Sequence, residues 1–218
     1  HGESTRQAAA SMTFVVVIGV LVAAFLSAGK AVTGRLLGVL IDERNKFSLS
    51  RLQIAAWTIV ALASILSLAA ALVWSDAENP LGFGIPTDLL VLTGISVTTL
   101  TAASLVKGEQ AKDNTLEILE PDTVQVGTDG DIEKFRAASL VDMIRGEQHG
   151  STTTVDIGKI QALFFTAVVI VVYAFVVFNQ FDSPVGSIEG LPPLTDQLLG
   201  LLGISHAGYI AKKAIPSK

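Results

Sequence analysis

The run IQALFFTAVVIVVYAFVVFNQF, residues 160–181, contains no charged side chain. A helix needs about 20 mainly apolar residues to cross a bilayer core of roughly 30 Å. Three further uncharged runs, residues 12–29, 52–75 and 89–106, reach or approach that length. A fifth run, 197–211, contains one histidine and reaches that length when counted from Leu194. We therefore predict an all-α membrane protein with five transmembrane helices.

The composition favours a membrane protein over a soluble one. Half of the 218 residues are hydrophobic and 16% are charged, which is more apolar and less charged than an ordinary soluble domain. Long soluble helices carry a polar stripe and transmembrane β-strands alternate in polarity, and the uncharged runs show neither pattern. The chain has no cysteine, which excludes disulfide and thiolate chemistry.

The basic residues are placed asymmetrically along the chain. Of the 15 lysines and arginines, all but Arg6 fall in residues 30–51, 107–159 and 212–218. Five spans would bring these three stretches to the same side of the membrane. Basic residues in short flanks stay in the cytoplasm, so we predict a cytoplasmic C-terminus and an N-terminus on the outside.

Two parts of the chain resemble each other. SRLQIAAWTIV, residues 50–60, and GKIQALFFTAV, residues 158–168, share a basic residue, a glutamine, an aromatic residue and a threonine in the same order. IPTDLLVLTGIS, residues 85–96, matches PLTDQLLGLLGIS, residues 193–205, with one extra residue in the second copy. Each copy predicts a helical hairpin. Both hairpins begin and end on the same side, so the repeat is parallel, unlike the inverted repeats of many transporters.

These features predict the following division of the chain. It comprises an extracytoplasmic N-terminal segment (1–11), a first transmembrane helix (12–29), a cytoplasmic juxtamembrane segment (30–51), a first hairpin with transmembrane helices 2 and 3 (52–107), a cytoplasmic insert (108–155), a second hairpin with transmembrane helices 4 and 5 (156–213) and a cytoplasmic tail (214–218).

The insert is the one sizeable polar segment. Its first part predicts short strands and turns, and DIEKFRAASLVDMIRGE, residues 131–147, predicts an amphipathic helix capped by Asp129 or Asp131. About 48 residues are too few for an independent enzyme domain. We expect the helix to pack on the membrane domain or on a partner through its apolar face, which comprises Ile132, Phe135, Ser139, Leu140, Met143 and Ile144.

Small residues mark candidate helix contacts. Gly94 lies in the middle of the third predicted span, where a missing side chain permits close approach of another helix. Gly200, Gly203 and Ala207 follow one another at spacings of three and four on the last span, and Ala211 extends the series. We predict that this face is a helix-packing surface.

Three polar side chains are predicted to lie within the membrane. Gln53 and Gln161 lie about one turn inside the cytoplasmic boundary. An unpaired amide in hydrocarbon is costly, so each should bond another helix as a clamp, or line a pore in an oligomer. His206 lies deeper, and an imidazole there is either a proton switch or a neutral ring bonded to a hydroxyl such as that of Ser205 or to a neighbouring helix.

Motifs of catalysis and cofactor binding are missing from the sequence. It contains no phosphate-binding loop, HExxH, GxSxG or cysteine–histidine cluster. Asp129, Asp131 and Glu133 do not reproduce the ligand positions of a calcium loop. We therefore predict no catalytic, cofactor-binding or metal-binding residues, no enzymatic activity and no nucleic-acid partner.

The segments FSLSRLQIAAWT (47–58), VDIGKIQALFFT (155–166) and LLGISHAGYIAKK (201–213) together resemble a set of uncharacterised bacterial multi-pass membrane proteins. The resemblance implies a bacterial origin and the repeated hairpin, and it transfers no functional residue. Together with the predicted topology, we therefore expect the protein in the bacterial inner membrane.

Two functions follow from the sequence. The first is a membrane scaffold or anchor subunit, with the lipid bilayer and a homo-oligomer or larger membrane complex as its partners. The alternative is an oligomeric ion or proton channel lined by Gln53, Gln161 or His206.

Overall fold

A computed structural model describes residues 2–42, 45–112, 138–146 and 154–214. Within those ranges the fold is all-helical and contains no β-strand. Five α-helices are present: α1 (Gly2–Thr33), α2 (Leu49–Trp74), α3 (Thr87–Lys112), α4 (Ile157–Gln180) and α5 (Asp196–Ala214). Short 3₁₀ turns cover Gly38–Leu40, Leu140–Met143 and Val185–Ser187.

Four of these helices are long and apolar enough to cross a membrane. They are α1 from Gln7, α2, α3 as far as Val106, and α4. The prediction of a multi-pass membrane protein is confirmed at this level. α5 has 19 residues, among them Asp196 and two lysines, and it is not one of the four, so a fifth span remains a prediction.

The helices pack around α2, which contacts α1, α3 and α4, while α5 packs against α3 and α4. Buried residues recur along α4 at helical spacing, at Ala162, Thr166, Val169, Tyr173 and Val177. Large apolar side chains on its other side are exposed. Bulky groups outside and small or polar groups inside are what a bilayer permits, because lipid is as apolar as leucine.

The two hairpins are joined at the loops that precede α3 and α5. The Gly84 amide donates to the Glu189 carbonyl at 2.9 Å, and the Leu191 amide donates to the Gly84 carbonyl at 3.0 Å. The side-chain amide of Gln180 donates to the Gly190 carbonyl at 2.6 Å. A Cβ at Gly190 would lie 2.6 Å from the Gly84 carbonyl oxygen. The backbones can meet here because Gly190 has no side chain.

The helix predicted in the insert is wrong for the residues of it that the structure describes. Residues 139–144, expected within an amphipathic α-helix, instead form the 3₁₀ turn Leu140–Met143. Ser139 starts this turn, because its hydroxyl accepts from the Val141 amide while its own amide donates to the Asp142 carboxylate at 2.8 Å. A serine cap of this kind starts a new element rather than continuing a helix.

Residues 113–137 and 147–153 of the predicted insert lie outside the described residues; they include its predicted strands, Asp129, Asp131, Ile132, Glu133 and Phe135. The 3₁₀ turn itself packs on the end of the bundle, where Met143 joins a small apolar cluster with Leu49, Ala162 and Tyr209.

We predict that Gly190→Ala destabilises the protein by about 1–3 kcal/mol, the usual cost of forcing an extra methyl group into a closed contact. Gly186→Ala is the matched control, since a Cβ at Gly186 meets nothing within 4 Å. Equilibrium unfolding in detergent measures both variants. Equal stability of the two variants would show that the loops are not in contact.

Candidate functional site: a polar layer in the bundle core

Four polar side chains, one from each of α2, α3, α4 and α5, meet at one level of the bundle. They are Gln53, Thr99, Thr166 and His206, and together we call them the polar layer. All four are buried, with Gln53 2% and His206 4% exposed. The structure therefore places His206 inside the chain rather than towards lipid.

The helical register brings these side chains inward. On α5 the buried residues are Leu202, Ser205, His206 and Tyr209, a spacing of three, four and seven that defines one helix face. Thr99 lies on the buried face of α3. His206 thus occupies an inner position of α5 that would otherwise carry an apolar residue.

The Nδ1 atom of His206 lies 2.8 Å from the Thr99 hydroxyl oxygen. That hydroxyl donates its own proton to the Ile95 carbonyl at 2.8 Å, one turn earlier in α3. A hydroxyl has one proton to donate, so the Thr99 oxygen accepts from His206. We infer from these distances that the ring is neutral with its proton on Nδ1 and a lone pair on Nε2.

The Nε2 lone pair faces donors on two other helices. Gln53 Nε2 lies 3.4 Å away and Thr166 Oγ1 lies 3.5 Å away. Gln53 also donates to Thr166 Oγ1 at 2.9 Å, which leaves the Thr166 proton available for the ring. Each group then donates to the next one. Gln53 donates to Thr166, Thr166 donates to Nε2 of His206, and Nδ1–H of His206 donates to Thr99.

This arrangement can act as a clamp between helices. Hydrogen bonds between transmembrane helices contribute about 0.6–2 kcal/mol each, and a polar group left unpaired in an apolar medium costs more than that. The polar layer thus fixes the rotation of four helices at once.

Several buried polar atoms near the layer have no hydrogen-bond partner among the described residues. They include the Gln53 carbonyl oxygen and the hydroxyls of Ser96 and Ser205. Ser205 was one of the partners predicted for the His206 ring, and the ring bonds Thr99 on a neighbouring helix instead. Thr99 and Thr166 were not among the predicted site residues. Thr166 is the threonine of the repeated motif, whereas the signal for Thr99 is its position on the inner face of α3.

Gln161 differs from its sequence counterpart Gln53. It is exposed on α4, and no hydrogen bond ties it to another helix in the part of the chain that the structure describes. Of the two roles predicted for Gln161, the helix clamp is therefore not formed among the described residues. Successive helix positions are about 100° apart, and α4 turns Ala162 and Thr166 to the core, which directs Gln161 outward.

The predicted packing face of α5 is open in this structure. Gly94, Gly200 and Ala207 are exposed, and Gly203 is partly buried. A Cβ at any of the three glycines would meet nothing within 4 Å. These three glycines therefore make no close contact with another helix among the described residues.

A cleft of about 330 Å³ lies between α3 and α5 beside this face. His206 and Thr99 form part of its wall, so one edge of the polar layer reaches the surface of the bundle. The remaining lining residues are Ile95, Thr98, Ala102, Gly203, Ala207 and Ile210.

The described residues hold no group of three or more acidic or histidine side chains that could bind a metal ion. No family model, curated protein or solved structure matches the chain. The resemblance to bacterial multi-pass membrane proteins therefore remains a prediction.

We predict that Thr99→Val destabilises the protein by about 1–3 kcal/mol, because the variant leaves the His206 Nδ1–H buried without an acceptor. Thr101→Val is the control, since Thr101 also donates to the carbonyl one turn earlier but is exposed. Unfolding in detergent compares the two variants. A loss of stability as large for Thr101→Val as for Thr99→Val would contradict a specific role for the layer.

Proposed function

We propose that the protein is an integral membrane scaffold or anchor subunit that assembles into an oligomeric complex. One observation carries this proposal. The polar layer uses its hydrogen bonds inside a single chain, while the small-residue face of α5 remains open on the outside. The polar layer thus stabilises the fold of one chain, and the exposed small residues of α5 can contact another helix.

The open face has the chemistry of a helix-association surface. Gly200, Gly203, Ala207 and Ala211 recur at spacings of three and four, so they share one side of α5. Small residues let two helix backbones approach closely, and this approach drives association where lipid supplies no hydrophobic force. We infer that a second copy of the chain occupies this face.

The proposed topology follows the charge distribution. α5 would be a fifth span, with the N-terminus outside and the C-terminus in the cytoplasm of a bacterial cell. The packing of α2 against α4 and of α3 against α5 supports two parallel repeated hairpins. The polar insert would then face cytoplasmic partners.

A channel is the second candidate, and the cleft between α3 and α5 favours it, because His206 and Thr99 line that cleft. Gln53 is 2% exposed and bonded within the chain, so a pore between copies would use Gln161 and the cleft instead. Proton flux into liposomes that hold the purified protein distinguishes the two functions, and the scaffold proposal expects none.

We predict that Gly203→Leu lowers the association constant of the oligomer at least about tenfold, a change equivalent to about 1.4 kcal/mol. A Cβ at Gly203 meets nothing within 4 Å in the isolated chain, whereas a leucine there would separate two α5 helices. Gly19→Leu is the matched control, because Gly19 is an exposed helical glycine of α1 with open space around it. Single-molecule photobleaching in native-membrane particles counts the copies.

A wild-type protein that is monomeric in those particles would contradict the proposal. So would an equal loss of oligomer in Gly203→Leu and Gly19→Leu.

A further inference from the structure

The chain folds back on itself directly after α1. The helix ends at Thr33, and Gly34 has a φ of +72°, a conformation that glycine adopts without strain. The returning loop then lies against the end of the helix. A Cβ at Gly29 would be 2.7 Å from the Leu36 carbonyl oxygen, which shows how closely the two backbones approach.

This return encloses an apolar pocket of about 160 Å³ between α1, the loop and α2. No lining residue has a polar side chain. The side chains of the pocket therefore cannot form hydrogen bonds with a sugar or a peptide group, and burying such a group without partners is costly. A hydrocarbon chain has no such requirement and suits this lining. Its lining comprises Val22, Phe25, Leu26, Leu36, Leu37, Val39, Leu40, Leu52, Ala55, Ala56 and Ile59.

Two exposed cations flank the pocket. Lys30 lies in the last turn of α1, and Arg35 immediately precedes the lining residue Leu36. Arg35 Nη1 donates to the Asn45 side-chain oxygen at 3.2 Å, which orients the guanidinium and leaves further N–H donors. Neither cation has a carboxylate partner among the residues that the structure describes.

Exposed apolar side chains lie at the same end of α1. Val32 is 85% exposed and Leu36 is 57% exposed. Alternating cations and exposed apolar groups at the end of a membrane span are typical of the headgroup boundary, where basic groups attract anionic lipids. The pocket thus lies where an acyl chain and a phosphate are found together.

We propose that this pocket binds one acyl chain of an anionic phospholipid whose phosphate is held by Arg35 and Lys30. A guanidinium pairs with phosphate through two parallel N–H donors, and the ammonium adds a second charge. The inference goes beyond the scaffold role and does not depend on it. It requires only that α1 lies in a bilayer.

The test uses the full chain in phosphatidylcholine nanodiscs that contain a trace of phosphatidylglycerol with a photoreactive acyl chain. We expect labelled peptides from the pocket lining, at a yield about tenfold above that with photoreactive phosphatidylcholine, since each juxtamembrane cation adds to the attraction of anionic lipid. Millimolar inorganic phosphate should not lower the yield. Mass spectrometry locates the labelled residues.

Two variants, each with a control, test the acyl-chain pocket and the phosphate-binding cations separately. Ala56→Leu fills the pocket and should abolish labelling there, whereas Ala167→Leu, at an exposed position of α4, should leave it unchanged. Arg35→Gln, a surface change that does not threaten folding, should reduce the preference for phosphatidylglycerol several-fold. Lys218→Gln removes a cation at the end of the chain and should not.

Equal labelling by the two lipids would overturn the proposal. Unchanged labelling in Ala56→Leu would do the same, and competition by free phosphate would assign the cations to the ion rather than to a lipid.

Discussion

A polar side chain removed from water inside an apolar bundle must find its hydrogen-bond partner in the protein, and this requirement governs the packing of α2 to α5. Apolar packing alone would tolerate several rotations of helices that are hydrophobic all round. The bonds from His206 to Thr99, and from Gln53 to Thr166, tie one residue of each helix to one level. Any rotation that separates them leaves buried donors unpaired, so the polar layer selects one arrangement.

The helices could be predicted from the sequence, but their rotation could not. The uncharged runs at 52–75 and 160–181 correspond to α2 and α4, which begin three residues earlier in each case and end one residue earlier, because length and apolarity suffice to define a span. The inner face of α4 carries small and polar residues and its outer face carries the bulky apolar ones, so the usual rule that the most apolar face packs inward does not identify it. Gln161, for which the sequence predicts a helix clamp or a pore lining, is exposed, and Thr166 pairs with Gln53.

Part of the candidate site could also be predicted from the sequence. An imidazole and an amide in apolar runs are conspicuous, so Gln53 and His206 were identified before their geometry was known. Threonine is common in these helices, and its hydroxyl can bond its own helix backbone, as those of Thr93 and Thr101 do. Only tertiary packing distinguishes such a residue from Thr99, which also accepts from the His206 ring.

In the polar layer, His206 holds its proton on Nδ1 and donates it to Thr99. Nitrogen NMR of the protein with labelled histidine measures this directly, with His206→Gln used to assign the signal. We expect a neutral ring with hydrogen on Nδ1 and a bare Nε2. A ring with its proton on Nε2 would mean that the ring does not donate to Thr99, and the polar layer as described would be wrong.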